Sequence, residues 1–414
     1  MEQPLQFVFI AAAATGSAYF LSRRRRFDFF ALGFASSLVY FLPGFFGFVR
    51  SSSNFLVPEP LQTGTYLVFL AVLVATVTGA IVFDQVFQER PAPARTSVSL
   101  RLTAEIAVMV AFLGLLATLA TSGAELFSPR KSDVIDSVGR WHILFRFAAI
   151  YAVIFAVLRK DVLPGIVGGA FLLFDLFIGF RLGVVIGLLS AATLLLNRRG
   201  AQVLLQSQKR MLAAGIVAVA AIFLYKRVYI AVKLGLWDTV IARLTSPDLS
   251  FVALMSSEPF GTQTILNEVI RTGFTVDAGH LKTTAALLVP FSNMLGAEIQ
   301  SFNDIFQQEL FGGVARGGLA NNIWAQMFAI GGWFGIAIIV PVYVGLLAIG
   351  SWLLSSSRGA TLALIAVVFT FIAFYIHRND VLYTLVLLRR SLFLWVVFVL
   401  PAMVLIDMRR REPV

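Results

Sequence analysis

The chain has no cysteine and only three histidines in 414 residues. Without cysteine there is no disulfide framework and no CxxC motif, so any segment outside the lipid takes its order from packing alone. His142, His280 and His377 are not spaced as a metal site. The sequence also lacks a GxxxxGK[ST] phosphate loop, an HExxH pair and a dense DxD-type carboxylate cluster. Direct use of ATP, a tightly bound metal and an organic cofactor are therefore not expected. Charge is scarce as well: 13% of residues are charged against 58% hydrophobic, and mean hydropathy is +0.86. A soluble domain does not have that balance.

What the chain has in abundance is apolar sequence of membrane length. A helix needs roughly 20 mostly apolar residues to cross the hydrocarbon, because each backbone polar group must be bonded within the helix. Eleven candidate spans meet that pattern, near 5–22, 27–49, 65–86, 103–121, 143–158, 162–180, 182–197, 211–225, 323–350, 359–377 and 382–407. The stretch 143–158 is short, and 162–180 with 182–197 reads equally as a hairpin. The first apolar segment runs into "RRRR" rather than a cleavage site, so it reads as a retained helix. The expected fold is an all-α polytopic transmembrane bundle of about 11 spans with one large extracytoplasmic helical loop. Its parts are an N-terminal bundle over 1–225, the loop over 226–322, and C-terminal transmembrane helices over 323–414.

Lysine and arginine stay on the cytoplasmic side of short loops. Arg23 to Arg26, Arg90, Arg95, Arg101, Arg159, Lys160, Arg198, Arg199, Lys209, Arg210, Arg358 and Arg409 to Arg411 all fall in one alternate set of loops. That places the N-terminus outside, the C-terminus in the cytoplasm and the 226–322 loop on the outer face. The net charge of +11 is then mostly topological, and no nucleic-acid motif accompanies it. The loop keeps helical pattern at 228–244, 262–273 and 301–312, which a bare tether would not.

In the last of these, Phe302, Ile305, Phe306 and Leu310 share one helical face. Glu309 falls in the same stripe, whereas Asp304 points away. A carboxylate aimed at a dry face is either paired or used, so Glu309 is the first candidate for a general base, with His280 and Asp304 behind it. "FGGVARGGLANN" follows, with glycines that allow close backbone approach around Arg316. Further charges gather at the expected outer level: Arg146, Asp175, Arg181, the "HRND" run with His377, Arg378 and Asp380, and Arg389 with Arg390. Singly, each reads as a snorkelling or salt-bridged residue; together, guanidinium forks suit an anionic phosphate or pyrophosphate.

A late external loop leading through glycines into "NNIWAQMFAIGGWFGI" resembles the Wzy-type oligosaccharide repeat-unit (O-antigen) polymerases and the related O-antigen ligases. Asn322, Trp324, Gln326 and the "GGWFG" at 331–335 carry the likeness, while Asn321 stands where ligase-like members have histidine. The resemblance implies a metal-independent GT-C type glycosyltransferase of a bacterial inner membrane. It would join sugar repeat units carried on undecaprenyl pyrophosphate at the periplasmic face, with the bilayer and a chain-length regulator protein as partners and no nucleic acid. Arg146, Arg181, Arg316, Asn321, Asn322, Arg378, Arg389 and Arg390 would then bind substrate, and Trp237, Phe260 and Trp324 would stack on sugars or anchor the interface. The rivals are an O-antigen ligase-like transferase and a transporter or flippase of a lipid-linked saccharide, which would use the same arginines but needs alternating access.

Overall fold

The computed structural model describes residues 2–23, 27–50, 58–87, 100–198, 221, 224–225, 228–247, 254, 257–285, 300–310 and 320–411. In chain order its helices are α1 (Glu2–Ser22), α2 (Phe29–Tyr40), α3 (Leu42–Phe46), α4 (Thr63–Val86), α5 (Leu100–Ser122), α6 (Lys131–Ser137), α7 (Arg140–Arg159), α8 (Val162–Phe177) and α9 (Leu182–Arg198). They continue with α10 (Trp237–Thr245), α11 (Glu258–Thr272), α12 (Gly279–Ala285), α13 (Phe302–Leu310), α14 (Ile323–Ser356), α15 (Gly359–Tyr375) and α16 (Val381–Arg411). The described strands are an antiparallel pair, β1 (Phe48–Arg50) and β2 (Pro58–Pro60), with Val49 opposite Glu59.

The protein is a helical membrane protein. Among the described residues, seven helices are long and apolar enough to cross a membrane: Pro4–Ser22, Thr63–Val86, Leu100–Phe127, Arg140–Arg159, Ile323–Ser356, Gly359–Arg378 and Val381–Leu405. The expectation of eleven is met only to that extent. The run at 27–49 divides into α2, α3 and β1. The pair at 162–180 and 182–197 forms helices of 16 and 17 residues joined by a tight turn, each short of a full span. Most of 211–225 lies outside the described residues.

Two compact units emerge. Unit 1 comprises Met1–Glu89, Leu254–Trp352 and Phe369–Arg389; unit 2 comprises Arg90–Ala253, Leu353–Val368 and Arg390–Val414. In unit 1, α4 packs on α1 and α2, and the Phe41 and Phe69 rings stack at 4.3 Å. The first arginine of "RRRR" is an anchor rather than a solvated charge. Arg23 is buried, with Nε and one terminal nitrogen donating to Asp84 at 2.6 Å and the other to Asp28 at 2.8 Å. Asp28 in turn caps α2 by accepting from the Ala31 N–H at 3.1 Å.

In unit 2, α7 packs against α5, α8 and α9. A side chain at Gly114 of α5 would run into the backbone of Phe145, so glycine sets how closely α5 and α7 approach. Of the expected loop, this unit holds described helix at 228–233 and α10, with Trp237 and Ile241 exposed.

In unit 1, one described helix of the expected loop is not peripheral. α11 packs on α2, α3, α4 and β1 and buries Phe260, Ile265, Leu266 and Val269 together with Thr262, Gln263, Thr264, Asn267 and Glu268. The Asn267 side-chain oxygen accepts from the Gln62 N–H at 2.8 Å and from the Thr65 hydroxyl at 3.0 Å, which ties α11 to the start of α4. A stretch expected only to keep helical pattern within the outer loop is thus an inner helix of unit 1.

Candidate functional site

In unit 1 the segment "NNIWAQMFAIGG" folds as a clamp. Asn322 caps α14: its side-chain oxygen accepts from the Trp324 and Ala325 N–H groups at 3.0 and 3.1 Å. Its amide nitrogen donates to the Thr262 carbonyl at 3.0 Å and to the Gln263 side-chain oxygen at 3.4 Å, holding α11. Gln326, fully buried, accepts from the Val381 N–H at 2.9 Å, holding the start of α16. At Gly332 the helix breaks, with φ 54° and ψ −137°, a conformation open to glycine and strained for other residues. The first turns, 323–331, are therefore a half-helix set apart from the long apolar run that follows.

Trp324 is also buried, so it does not present a face to a sugar. Its indole N–H donates to His377 Nδ1 at 3.1 Å. An indole nitrogen can only donate, so Nδ1 is unprotonated and the proton sits on Nε2, 3.2 Å from the Ser37 hydroxyl. The Ser37 hydroxyl donates its own hydrogen bond to the Gly33 carbonyl at 2.9 Å. His377 is thereby a neutral, fully enclosed histidine with both ring nitrogens committed. Phe260 is buried against the Phe46 and Phe48 rings; Trp237 of unit 2 is the exposed one of the three candidate stacking residues.

Beside this clamp lies the constellation with exposed chemistry. Glu258, in the first turn of α11, accepts from Arg378 Nε at 2.9 Å and from the Tyr40 hydroxyl at 2.9 Å. Arg378 lies over the Tyr375 ring at 5.6 Å, and its side chain keeps 32% exposure. One edge of the guanidinium is thus fixed, and among the described residues no hydrogen bond or ion pair engages its terminal nitrogens. Two residues on, Asp380 is buried and caps two helices at once, accepting from Tyr383 N–H at 2.6 Å and from Phe302 N–H at 3.1 Å. Burial raises the Asp380 carboxyl above the usual carboxylate range, against these N–H groups, which favour its charged form.

His280 is half-buried and within electrostatic reach of Asp380. An Asx-type turn places it, with the Asp277 carboxylate accepting from Gly279 N–H at 2.6 Å and the Asp277 carbonyl accepting from His280 N–H at 3.0 Å. Burial lowers the His280 pKa from the usual imidazole value, while the Asp380 charge pulls the other way. At neutral pH the ring is uncharged and able to accept a proton.

Several sequence expectations are corrected here. Glu309 is exposed, so the dry face expected of it is absent. By helical angle it continues the stripe of Phe302 and Phe306, but α13 has only nine residues, and the packing that buries those two rings stops short of its last turn. Asp304 is a capping residue: its carboxylate accepts from the Ser301 N–H and hydroxyl at 3.0 and 2.8 Å, and its own N–H donates back to Ser301 at 3.2 Å. Arg146 does not point a fork at a ligand. In unit 2 its Nε donates to Asp175 at 2.8 Å, the same carboxylate accepts from His142 Nε2 at 2.7 Å, and the guanidinium lies 4.6 Å from the Phe180 ring.

The expected set therefore divides. His280, Arg378, Asn321, Asn322 and Arg389 belong to unit 1, as do Glu309 and Asp304; Arg146, Arg181 and Arg390 belong to unit 2. Arg389 lies eight residues into α16, roughly 12 Å along its axis, and like Arg181 and Arg390 is half-buried. Arg316 lies outside the described residues. The sequence reading missed Glu258, although "SSEPF" is a helix-start signature with a carboxylate in the first turn. The chain matches no protein-family model, no curated protein and no solved structure.

Proposed function

We propose that the protein is a membrane glycosyltransferase that polymerises polyprenyl-pyrophosphate-linked oligosaccharide repeat units, as the resemblance to repeat-unit polymerases implies, at the periplasmic face of a bacterial inner membrane. The observation that carries the reading is Arg378, held by Glu258 and Tyr375 with its terminal nitrogens unspent, on the same short segment as the Asp380 that faces His280. A planar fork fixed at one edge is suited to bidentate capture of a phosphate. In the reaction, the oxygen of an acceptor sugar hydroxyl forms a bond to the anomeric carbon of the growing chain. The bond from that carbon to the pyrophosphate oxygen breaks, and the pyrophosphate leaves with the electron pair. Arg378 stabilises the charge that develops on it. The hydroxyl proton passes to the His280 ring, the better placed of the three base candidates because it is neutral and half-buried. Glu258 and Tyr40 orient the arginine.

Purified protein in liposomes, given a lipid-linked repeat unit, should extend it into a ladder on a gel. Arg378→Lys keeps charge but loses the fork, so it should be nearly as damaging as Arg378→Ala, each about 10²–10³-fold slower. Full activity of Arg378→Ala removes the arginine from the chemistry. A second reading, transport of the lipid-linked saccharide, is favoured by the break at Gly332 and by the ionic cluster inside unit 2. Movement of labelled substrate across the bilayer without chain growth would establish it. An active alkaline phosphatase fusion near residue 250, with an inactive one near 205, tests the proposed orientation.

A further inference from the structure

Among the described residues, nothing covers the apolar face of α10. Trp237, Ile241 and Leu244 stand at i, i+4 and i+7, one stripe of a helix, and are 62%, 60% and 42% exposed. Val240, on the flank of that stripe, is buried in a small core with Val228 and Ala231 of the helical stretch before it. The charged side chains of α10, Asp238 and Arg243, lie off the stripe. The turn into α10 is fixed as well: Gly235 takes a φ of 67°, and the Leu236 N–H donates to the Ala231 carbonyl at 2.9 Å. The helix is therefore held in one pose, with its apolar face outward.

Lys233 sets the level at which this happens. Its ammonium donates to the Ser128 carbonyl at 3.0 Å and to the Leu126 carbonyl at 3.4 Å. Those carbonyls stand at the end of the apolar span Leu100–Phe127, where that span leaves the hydrocarbon. Only three residues lie between Lys233 and Trp237, and they form a tight turn, so α10 starts close to the same level. Exposed apolar side chains also reach it on the spans themselves, from Phe112 and Leu116 of α5 to Phe127 and to Trp141 in the first turn of α7. A tryptophan at that depth meets the headgroup region, where its amphipathic ring is favoured.

We infer that α10 is an in-plane membrane helix, with its Trp237–Ile241–Leu244 face set into the headgroup–acyl boundary of the leaflet at which α5 ends. An in-plane helix needs an apolar face, a charged opposite side and a place at the boundary, and α10 has all three. The bilayer is the apolar surface already present at that level, which favours lipid over a protein partner as the occupant. This membrane contact is independent of the proposed transfer reaction.

The chain has no cysteine, so single nitroxide labels can be placed on the full chain in phosphatidylcholine–phosphatidylglycerol liposomes without background. Ile241→Cys and Leu244→Cys report the apolar face, Asp238→Cys and Ala242→Cys the other side, and Leu113→Cys on α5 gives a lipid reference; all five positions are exposed. Power-saturation EPR compares collisions with oxygen, which concentrates in hydrocarbon, and with a water-soluble nickel chelate, and so reads the depth of each label. Labels at 241 and 244 should lie about 5–10 Å inside the headgroup boundary, and those at 238 and 242 should be in water. Nickel contact at 241 and 244 equal to that at 238 and 242 would put the whole helix in water and overturn the assignment. Exclusion of both oxygen and nickel from 241 and 244 would overturn it too, by showing protein over the face, with dipolar broadening marking a second copy of the chain.

Discussion

The two units solve the problem of a membrane interior differently. Unit 2 fills its core with α7, where Phe145, Phe147, Ala148, Ala149, Ile150, Ala152 and Phe155 are buried, and confines charge to the Arg146–Asp175–His142 cluster. Unit 1 buries Thr262, Gln263, Asn267, Asn322, Gln326, His377 and Asp380 as one polar layer. Polar groups in a low-dielectric interior are costly unless each finds a partner. In unit 2 the buried cluster is closed, with both carboxylate oxygens accepting. In unit 1 the layer is open: among the described residues Gln263 Nε2, Gln326 Nε2, Asn321 Oδ1 and Ser257 Oγ are enclosed without a hydrogen-bond partner, at about 1–3 kcal/mol each. A fold tolerates such groups at sites that serve function, so the reading proposed above would place ligand handling in the polar layer of unit 1 and a structural role on the closed cluster of unit 2.

The sharpest way to break that assignment is Arg146→Ala. It leaves Asp175 buried against His142 alone, at a cost of about 3–5 kcal/mol, so the variant should fail to accumulate in membranes. The double substitution Arg146→Met with Asp175→Leu removes both charges and should recover expression. A well-expressed but inactive Arg146→Ala would instead make the cluster functional and shift weight to the transport reading.

His280 provides the next test, read in rate and in pH. As general base it is worth about 10²–10⁴-fold, so His280→Gln should elongate slowly at a normal membrane level. Because burial holds its folded pKa below the unfolded value of about 6.5, the acid limb of kcat/KM should fall below pH 6.5 and vanish in His280→Gln. Linkage has the same sign. The unfolded chain takes up the proton first, so the stability due to this group is present above about pH 6.5 and lost as pH falls. An acid limb that persists in His280→Gln would belong to another group.

How much of this was legible follows from what each helix buries. The long apolar helices announced themselves through hydropathy, and "NNIWAQMFAIGG" and "HRND" stood out by their polar residues before or after such runs. α11 was legible as helical pattern at 262–273 but not as buried, because the face it turns inward carries Thr262, Gln263 and Asn267, and no apolarity scale marks a polar face as buried. The pairing of Glu258 with Tyr40 and Arg378 joins segments far apart in the chain, so neither the ion pair nor the orientation of the fork could be read locally. Asp380 was visible as a charge but not as a cap, since one of the helices it caps, α13, arrives from elsewhere in sequence.

That double cap gives a mid-sized prediction. Asp380→Ala removes acceptors from the first turns of α13 and α16 together, at about 1 kcal/mol per cap, so the melting temperature should drop clearly. Asp380→Asn keeps one acceptor oxygen and should restore most of it. If Asp380→Ala melts normally yet loses activity, Asp380 acts on His280 or on substrate rather than on the helix ends.

The smallest expected effect is at Glu309, and it separates angular position from burial. An ideal helix puts residue 309 almost directly above 302, so the stripe defined by Phe302 and Phe306 invites the reading that its carboxylate is desolvated and basic. A helical angle sets direction only; burial needs a neighbouring element over that turn, and here Phe302 and Phe306 are covered while Glu309 is not. A solvated carboxylate lacks the dry setting on which the reading of Glu309 as a base rests. Glu309→Gln should therefore express normally and elongate substrate within about twofold of the parent chain, as surface substitutions do. A hundredfold loss would mean that α13 turns this face inward when substrate binds, and would return Glu309 to the head of the candidates for the base.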